Sequence, residues 1–197
     1  MLAKRVFDLF FSIAGILVLL PLFAFIAVWI KFDSKGPIFF RQERVGQFGR
    51  VFRIFKFRTM CQDAEAKGRQ ITVGEDSRIT CSGRFLRNYK LDELPQLINV
   101  IRGEMSLVGP RPEVPRYVAM YPPAVRERVL SVPPGITDYA SIEYRDENTI
   151  LGHALDPERA YIEEVMPVKL SYYERYVSER SLWVDFWVIL KTLRVVW

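Results

Sequence analysis

The longest apolar run of the chain lies near its N-terminus, where residues 9–30 include no charged side chain. As a straight helix this run would be about 33 Å long, close to the roughly 30 Å hydrocarbon core of a bilayer. Pro21 stands in the middle of the run, where a proline removes one helix hydrogen bond and bends the chain. Two interpretations are open: a kinked helix that spans the membrane, or a re-entrant helix–break–helix whose two ends lie on one side.

Beyond residue 36 the apolar positions change to the shorter periods of a small folded domain. Residues 38–45 and 51–57 alternate as strands around a glycine-containing turn, which predicts a β-hairpin. Asp156-Pro157 is a strong helix start, because aspartate caps a helix and proline suits its first turn. Helical patterns cover residues 60–67, 84–89, 95–102, 123–130 and 156–176. The fold class predicted is α+β, predominantly helical, with no repeat and no second domain inside 36–197.

The C-terminal segment, residues 181–197, is apolar and aromatic but too short to span a bilayer. Trp183 and Trp187 are four residues apart and fall on one helical face, while Asp185 interrupts the apolar pattern. Such a helix suits the headgroup layer of a membrane. A buried helix of the domain core fits the same pattern, and both interpretations stay open.

The distribution of charge separates the N-terminal region from the rest of the chain. The net charge is +5, but residues 1–60 contain 10 basic and 3 acidic side chains, a net of +7. The remaining segments, 61–150 and 151–197, each have a net charge of −1. The excess flanks the apolar run on both sides, which indicates an anionic membrane surface and not nucleic acid as the partner.

The composition excludes several classes of site. With a single histidine, His153, the chain has no His-rich metal site, and a Ser-His-Asp triad is disfavoured. Cys61 and Cys81 fit neither a zinc ligand set nor a disulfide framework, and are interpreted as reduced thiols. The chain contains no P-loop, no Gly-x-Gly-x-x-Gly and no His-Glu-x-x-His.

Adjacent carboxylates, Asp92 and Glu93, stand just before Pro95, which is typical of the first turn of a helix. Near a helix N-terminus a carboxylate is stabilised in its ionised form. An ionised aspartate can attack phosphorus, and paired carboxylates can hold Mg²⁺. Plain capping of the helix by acidic residues is the alternative.

Cations accompany this pair in three segments. Arg111 lies between Pro110 and Pro112, whose fixed φ angles reduce the entropy lost when its guanidinium binds a phosphate. Lys56 and Arg58 precede the pair, as do Arg84 and Arg87. Any one of these cations alone is better explained as a solvated charge or part of a rigid connector, so their interest lies in their combination.

Three motifs occur in order: Lys56-Phe-Arg-Thr-Met60, Leu91-Asp-Glu-Leu-Pro-Gln96 and Ser106-Leu-Val-Gly-Pro-Arg-Pro112, followed by Pro134-Gly-Ile-Thr137. Together they closely resemble the bacterial sugar transferase family, the monotopic polyprenyl-phosphate phosphoglycosyl transferases, in its small form. The resemblance covers essentially the whole chain.

The resemblance implies an enzyme that transfers a sugar 1-phosphate from a UDP-sugar to undecaprenyl phosphate and releases UMP, at the start of O-antigen, capsule or exopolysaccharide assembly. By motif position Asp92 is the nucleophile that forms a phosphosugar intermediate. Glu93 is associated with Mg²⁺, and Lys56, Arg87 and Arg111 match the cations around the phosphates. A non-catalytic protein that binds anionic lipid or a partner is the rival function.

The resemblance also implies a re-entrant membrane helix broken at Pro21 within residues 1–35. A catalytic domain, residues 36–197, then lies on the cytosolic face of the bacterial inner membrane with a C-terminal interfacial helix. Membrane lipids are expected partners, and a homo-oligomer is left open. Two departures stand out: Leu20 replaces the serine that often precedes the proline, and Asp138-Tyr139 replaces the Gly-Trp of many relatives. The second leaves the donor sugar open.

Overall fold

The computed structural model describes residues 2–62, 76–144 and 147–196. Within these ranges the chain is mostly helical with one antiparallel β-hairpin, as the sequence predicts. The strands are β1 (Phe39–Val45), β2 (Val51–Phe57), β3 (Ser106–Val108) and β4 (Gly135–Thr137). The helices are α1 (Leu2–Asp33), α2 (Cys81–Asn88), α3 (Gln96–Arg102), α4 (Pro115–Val118), α5 (Pro123–Val129), α6 (Tyr139–Glu143), α7 (Glu147–His153), α8 (Pro157–Ala160), α9 (Met166–Glu179) and α10 (Leu182–Val196).

Helix α1 continues through Pro21 without an interruption of its helical backbone. The expected division into two helices at this proline is therefore not seen in the secondary structure. A proline removes a single amide donor, and the neighbouring turns retain their own hydrogen bonds. The helix is long and apolar enough to cross a membrane by length and composition, and 11% of its most apolar 18-residue window is buried by the protein. Phe10, Val18 and Phe25 are among its exposed side chains.

The N-terminal end of α1 is fastened to the folded domain. The Arg5 guanidinium donates to the carbonyl oxygens of Val100 at 2.6 Å and Ile101 at 2.8 Å, at the C-terminal end of α3. Three residues later, the Asp8 carboxylate accepts a hydrogen bond from the backbone N–H of Leu107 in β3 at 3.2 Å. The start of the apolar helix thus contacts the strand that leads to the Gly-Pro-Arg-Pro segment.

The C-terminal end of α1 is fastened to the same domain. The buried Arg58 side chain donates to the carbonyl oxygens of Ser34 at 2.7 Å and Lys35 at 2.6 Å, and so satisfies the end of the helix. The Asp33 carboxylate accepts from the backbone N–H of Ser82 at 2.9 Å, at the start of α2. Both ends of a 32-residue apolar helix therefore contact one domain.

One edge of the hairpin is hydrogen-bonded to a side chain. Strands β1 and β2 pair antiparallel from Phe39↔Phe57 to Val45↔Val51. At the other edge of β2, the Asn99 amide oxygen accepts from the Phe55 N–H at 2.8 Å, and the Asn99 amide nitrogen donates to the Arg53 carbonyl at 3.0 Å. The fully buried Asn99 takes the place of a third strand over this short stretch.

Strands β3 and β4 form a parallel pair that the sequence analysis did not predict, because each has only three residues. The chains approach closely at two glycines: a Cβ on Gly135 would lie 2.1 Å from the backbone nitrogen of Gly109. The Gly135 N–H donates to the Pro110 carbonyl at 2.9 Å. This pairing fixes the backbone that leads into Arg111.

The C-terminal helices follow the expected pattern in part. Asp156 caps α8 through the N–H groups of Glu158 and Arg159, as predicted, and a π-helical turn then joins α8 to α9. In α10 the face with Asp185 is buried, whereas Trp183 is 66% exposed in contact with other aromatic rings. One face of α10 is thus packed and the other exposed. The helix predicted over 60–67 falls mainly outside the described residues, and residues 60–62 are not helical.

Candidate active site

The two adjacent carboxylates lie in a 3₁₀ turn, Leu91–Glu93, between α2 and α3. Pro95 is the residue before the start of α3 at Gln96, close to the expected first turn, and the carboxylates precede that helix in a separate turn. The backbone reverses at Lys90, whose φ of 55° places it in the left-handed region, and this turns Asp92 and Glu93 towards β2. Their environment is therefore set by the surrounding cations and not by the dipole of a long helix.

Asp92 is nearly buried, with 8% of its surface exposed, yet it lacks a partner. Its carboxylate makes no side-chain hydrogen bond or ion pair with any residue that the structure describes. Burial raises the pKa of Asp92 above its ordinary value, and the negative charge of Glu93 adds to this; Lys56 and Arg87 act in the opposite direction. The result is a weakly solvated carboxylate that is free to react.

Glu93 is held by two cations. Lys56 Nζ lies 2.8 Å from Glu93 Oε1, and Arg111 donates to both carboxylate oxygens, Nη1 to Oε2 at 3.1 Å and Nη2 to Oε1. Burial alone would raise the pKa of Glu93, but Arg111 and Lys56 hold it well below its usual range. Glu93 therefore stays ionised and orders the two cations beside Asp92.

The two cations differ in how firmly they keep their charge. Burial lowers the pKa of Lys56, and Arg111 contributes in the same direction, while Glu93 opposes both. The pKa of Arg111 is raised well above its ordinary value by Glu93. Of the two cations, Lys56 is therefore the one whose positive charge is less firmly held.

Arg87 is brought to the same site, whereas Arg84 is not. The Arg87 Nε–H donates to Thr59 Oγ1 at 2.9 Å, which fixes the side chain at the end of the first motif. Burial lowers the pKa of Arg87, and the charge of Asp92 opposes this shift, so the two groups interact. Arg84 is exposed on α2, and its side chain makes no hydrogen bond or ion pair with these groups among the described residues. Of the predicted site residues, Lys56, Arg87, Asp92, Glu93 and Arg111 thus lie together.

The carboxylate pair offers the oxygen ligands that Mg²⁺ prefers, but too few of them to complete its coordination. No group of three or more His, Cys, Asp or Glu side chains that could hold a metal occurs among the described residues. Both oxygens of Glu93 are engaged by cations, and only Asp92 is unengaged. Magnesium in proteins is commonly held by one or two carboxylates together with the phosphates of a substrate. The pair fits that arrangement and does not form a complete metal site alone.

Asp138 is a site neighbour that the sequence analysis did not assign. Asp138 directly follows β4, and Arg111 lies three residues after β3. Because the two strands are parallel, both residues lie at the same end of the strand pair. The buried carboxylate of Asp138 accepts from the Ser141 N–H at 2.9 Å and contributes to the raised pKa of Arg111. The departure from the usual motif at residue 138 was the available signal, but its proximity to Arg111 depends on a strand pair too short to predict.

The chemistry available at this site follows from these contacts. An unpartnered carboxylate, Asp92, stands beside cations that suit the oxygens of a phosphate group. Cations held in place before substrate binds can stabilise charge that develops on a leaving phosphate. A carboxylate in such surroundings is chemically able to attack phosphorus.

Comparison with known proteins agrees with this chemistry. A family model described as "Bacterial sugar transferase" matches residues 1–197. A UDP-N-acetylgalactosamine-undecaprenyl-phosphate N-acetylgalactosaminephosphotransferase from Aeromonas hydrophila is 37% identical over 98% of this chain and 43% of its own length. An undecaprenyl-phosphate glucose phosphotransferase from Komagataeibacter xylinus is 38% identical over 98% of this chain and 36% of its own length.

A relative of similar size also matches. The exopolysaccharide production protein ExoY of Sinorhizobium fredii is 32% identical over 99% of this chain and 85% of its own length. The chain spans less than half of the length of the Aeromonas and Komagataeibacter relatives. The match of the family model over residues 1–197 shows that this chain belongs to the bacterial sugar transferase family.

Proposed function

We propose that the chain transfers a sugar 1-phosphate from a UDP-sugar to undecaprenyl phosphate, with release of UMP, in the assembly of a bacterial polysaccharide. The activities for which the relatives are named support the donor and acceptor classes. The observation that carries the proposal is the unpartnered, nearly buried carboxylate of Asp92 beside Lys56, Arg87 and the Arg111–Glu93 pair.

The proposed reaction has two steps. A carboxylate oxygen of Asp92 attacks the phosphorus that bears the sugar, the bond between the two donor phosphates breaks, and UMP leaves with the bridging oxygen. A phosphate oxygen of the polyprenyl acceptor then attacks the same phosphorus and displaces the Asp92 carboxylate. Covalent catalysis divides one difficult displacement between two highly charged groups into two easier ones.

In the proposed mechanism Glu93 arranges the cations and does not attack. The donor diphosphate offers oxygens to Lys56 and Arg111, which Glu93 holds in position before the substrate arrives. Arg87, fixed by Thr59, faces the same charge from α2. Negative charge that develops on the departing UMP is stabilised without reorganisation of these side chains.

We also propose that Mg²⁺ takes part, shared between the carboxylate pair and the donor diphosphate. When bound, such an ion neutralises phosphate charge and polarises the phosphorus–oxygen bond. Asp92 and Glu93 are the carboxylates that would hold it, together with oxygens of the donor diphosphate. Chelation should abolish UMP release and added Mg²⁺ should restore it.

We propose that the chain lies on the cytosolic face of the inner membrane, and the contacts of α1 support the monotopic part of this arrangement. A straight spanning helix would carry one end to the far side of the bilayer, about 30 Å from the domain. Here Arg5 and Asp8 near one end, and Asp33 at the other, all contact the same domain. The exposed aromatic face of α10, with Trp183, is proposed to lie in the headgroup layer.

The proposal is tested by UMP release from a panel of UDP-sugars with undecaprenyl phosphate and Mg²⁺. The intact chain should release UMP from at least one donor, and the Asp92→Asn variant should release none above background. A non-catalytic lipid- or partner-binding protein would release none with either chain. The donor that gives the highest kcat/KM identifies the sugar.

A further inference from the structure

A group of arginines surrounds Phe55 on the side of the hairpin that faces away from the candidate active site. Successive strand residues point to opposite faces, so Phe55 points away from the side on which Lys56 meets Glu93. The guanidinium carbon of Arg41 lies 3.5 Å from the centre of the Phe55 ring, and that of Arg102 lies 4.9 Å from it. Two cations from different elements thus contact one aromatic ring.

These two arginines lack carboxylate partners. Neither Arg41 nor Arg102 forms an ion pair within the part of the chain that the structure describes. The neighbouring acids are engaged elsewhere: Glu43 pairs with Arg53 at 3.3 Å, and Glu104 accepts from Asn99 at 2.7 Å. Burial and the charge of Arg102 lower the pKa of Arg41, and Glu104 opposes this shift only in part. The two guanidinium groups repel each other, and an anion placed between them would relieve that repulsion.

Each arginine of the pair follows, along the chain, a residue that packs near or contacts α1. Arg102 directly follows Ile101, whose carbonyl accepts from Arg5 at 2.8 Å at the start of α1. Arg41 is three residues after Ile38, which packs against the hydrophobic cluster that includes Ile26 and Ile30 of α1. Three strand residues extend about 10 Å, comparable with the depth of a headgroup layer.

We propose that Arg41 and Arg102, stacked on Phe55, bind the phosphate of an anionic phospholipid headgroup. The inference rests on the proposed membrane arrangement of α1 and concerns a lipid that is not the acceptor, since the acceptor must reach Asp92 on the other face of the hairpin. A planar guanidinium donates two parallel hydrogen bonds to a phosphate, and stacking on an aromatic ring orients it in advance.

The test is the thermal unfolding midpoint of the full chain in neutral detergent, titrated with short-chain phosphatidylglycerol. A saturable rise in Tm is expected with this lipid, and no comparable rise with phosphatidylcholine of equal chain length or with inorganic phosphate. The single changes Arg41→Gln and Arg102→Gln should each raise the lipid concentration at half-effect about tenfold. The exposed Arg126 on α5 supplies a matched control, because Arg126→Gln should leave the titration unchanged.

An equal response in the wild type and both arginine variants would overturn the inference. An equal response to phosphatidylcholine would assign the effect to the apolar surface of α1, and an equal response to inorganic phosphate would assign it to a free anion; either also overturns it. If the glutamine variants fail to fold, Arg41→Lys with Arg102→Lys keeps the charge and loses the planar fork, and should still weaken the response. UMP release is measured separately, so loss of the lipid response with intact transfer counts against this site alone.

Discussion

Arg111 donates hydrogen bonds to both carboxylate oxygens of Glu93. The carboxylate of Asp92, the residue before Glu93, has no hydrogen-bond or ion-pair partner among the described residues. Two acidic residues that are adjacent in the chain therefore have different roles. Glu93 is ionised and orders the cations, and Asp92 carries a pKa raised by burial and by the charge of Glu93. The account of catalysis depends on this difference.

The first prediction concerns stability. A raised pKa means that ionised Asp92 lowers the free energy of unfolding at neutral pH, so Asp92→Asn should be more stable than the wild type and inactive. A gain of about 1 kcal/mol would appear as a rise of about 2–4 °C in Tm. The difference should disappear below the ordinary aspartate pKa, where both side chains are neutral. A lower Tm for the variant at pH 7 would mean that the folded protein stabilises this carboxylate.

The second prediction separates charge from geometry at Arg111. Arg111→Lys keeps a positive charge but loses the paired hydrogen bonds to Glu93, so UMP release should fall about 10- to 100-fold. Arg84→Lys is the matched control, because Arg84 is exposed and outside the site. Full activity of Arg111→Lys in steady-state kinetics would show that the paired contact is dispensable.

The third prediction concerns pH. The Asp92 nucleophile must be ionised, so activity should be lost as pH falls through a pKa that lies above the ordinary 3.8. On the alkaline side Lys56 must be protonated. Because burial lowers its pKa, activity should begin to fall at a pH below 10.5, the ordinary lysine value. In a pH profile of kcat/KM, Lys56→Arg should move the alkaline limb to higher pH and leave the acid limb in place. An alkaline limb that does not move would assign it to another group.

The fourth prediction concerns the membrane arrangement. In a chain with Cys61→Ser and Cys81→Ser, single cysteines at Leu2 and Lys35, which are exposed at the two ends of α1, should react with an impermeant thiol reagent from the same side of the membrane. A cysteine at Leu17 is the control: it is 67% exposed on the protein surface and should be unreactive because lipid covers it. Labelling of residues 2 and 35 from opposite sides would contradict the re-entrant arrangement.

The sequence predicted the parts of the molecule that depend on local patterns. The hairpin strands and the Asp156 cap were visible from alternation and from capping residues within a few positions. The β3–β4 pair was not, because strands of three residues give no periodic signal and their pairing joins segments 29 positions apart, Ser106 to Gly135. Asp138 was missed at the site for that reason.

The structural roles of two buried polar side chains could not be predicted from the sequence either. Asn99 completes the edge of β2, and Arg58 caps the end of α1, but neither role leaves a pattern along the chain. The motif residues Lys56, Asp92 and Arg111 were expected to act together. The structure brings Lys56 and Arg111 into contact with Glu93, next to Asp92, and their joint action stays a prediction. At Pro21 the sequence pattern predicted a break that the secondary structure does not have, since a residue that usually ends a helix is accommodated within α1.

The most direct test of the central claim is a single-turnover reaction between the full chain and a UDP-sugar labelled in the sugar, without the polyprenyl acceptor. The account predicts one equivalent of UMP and a labelled phosphosugar adduct that peptide mass spectrometry assigns to Asp92, and that undecaprenyl phosphate then discharges. The test uses a donor already known to support turnover. If this donor gives no adduct and no UMP until the acceptor is added, the result contradicts a covalent intermediate on Asp92 and favours direct displacement.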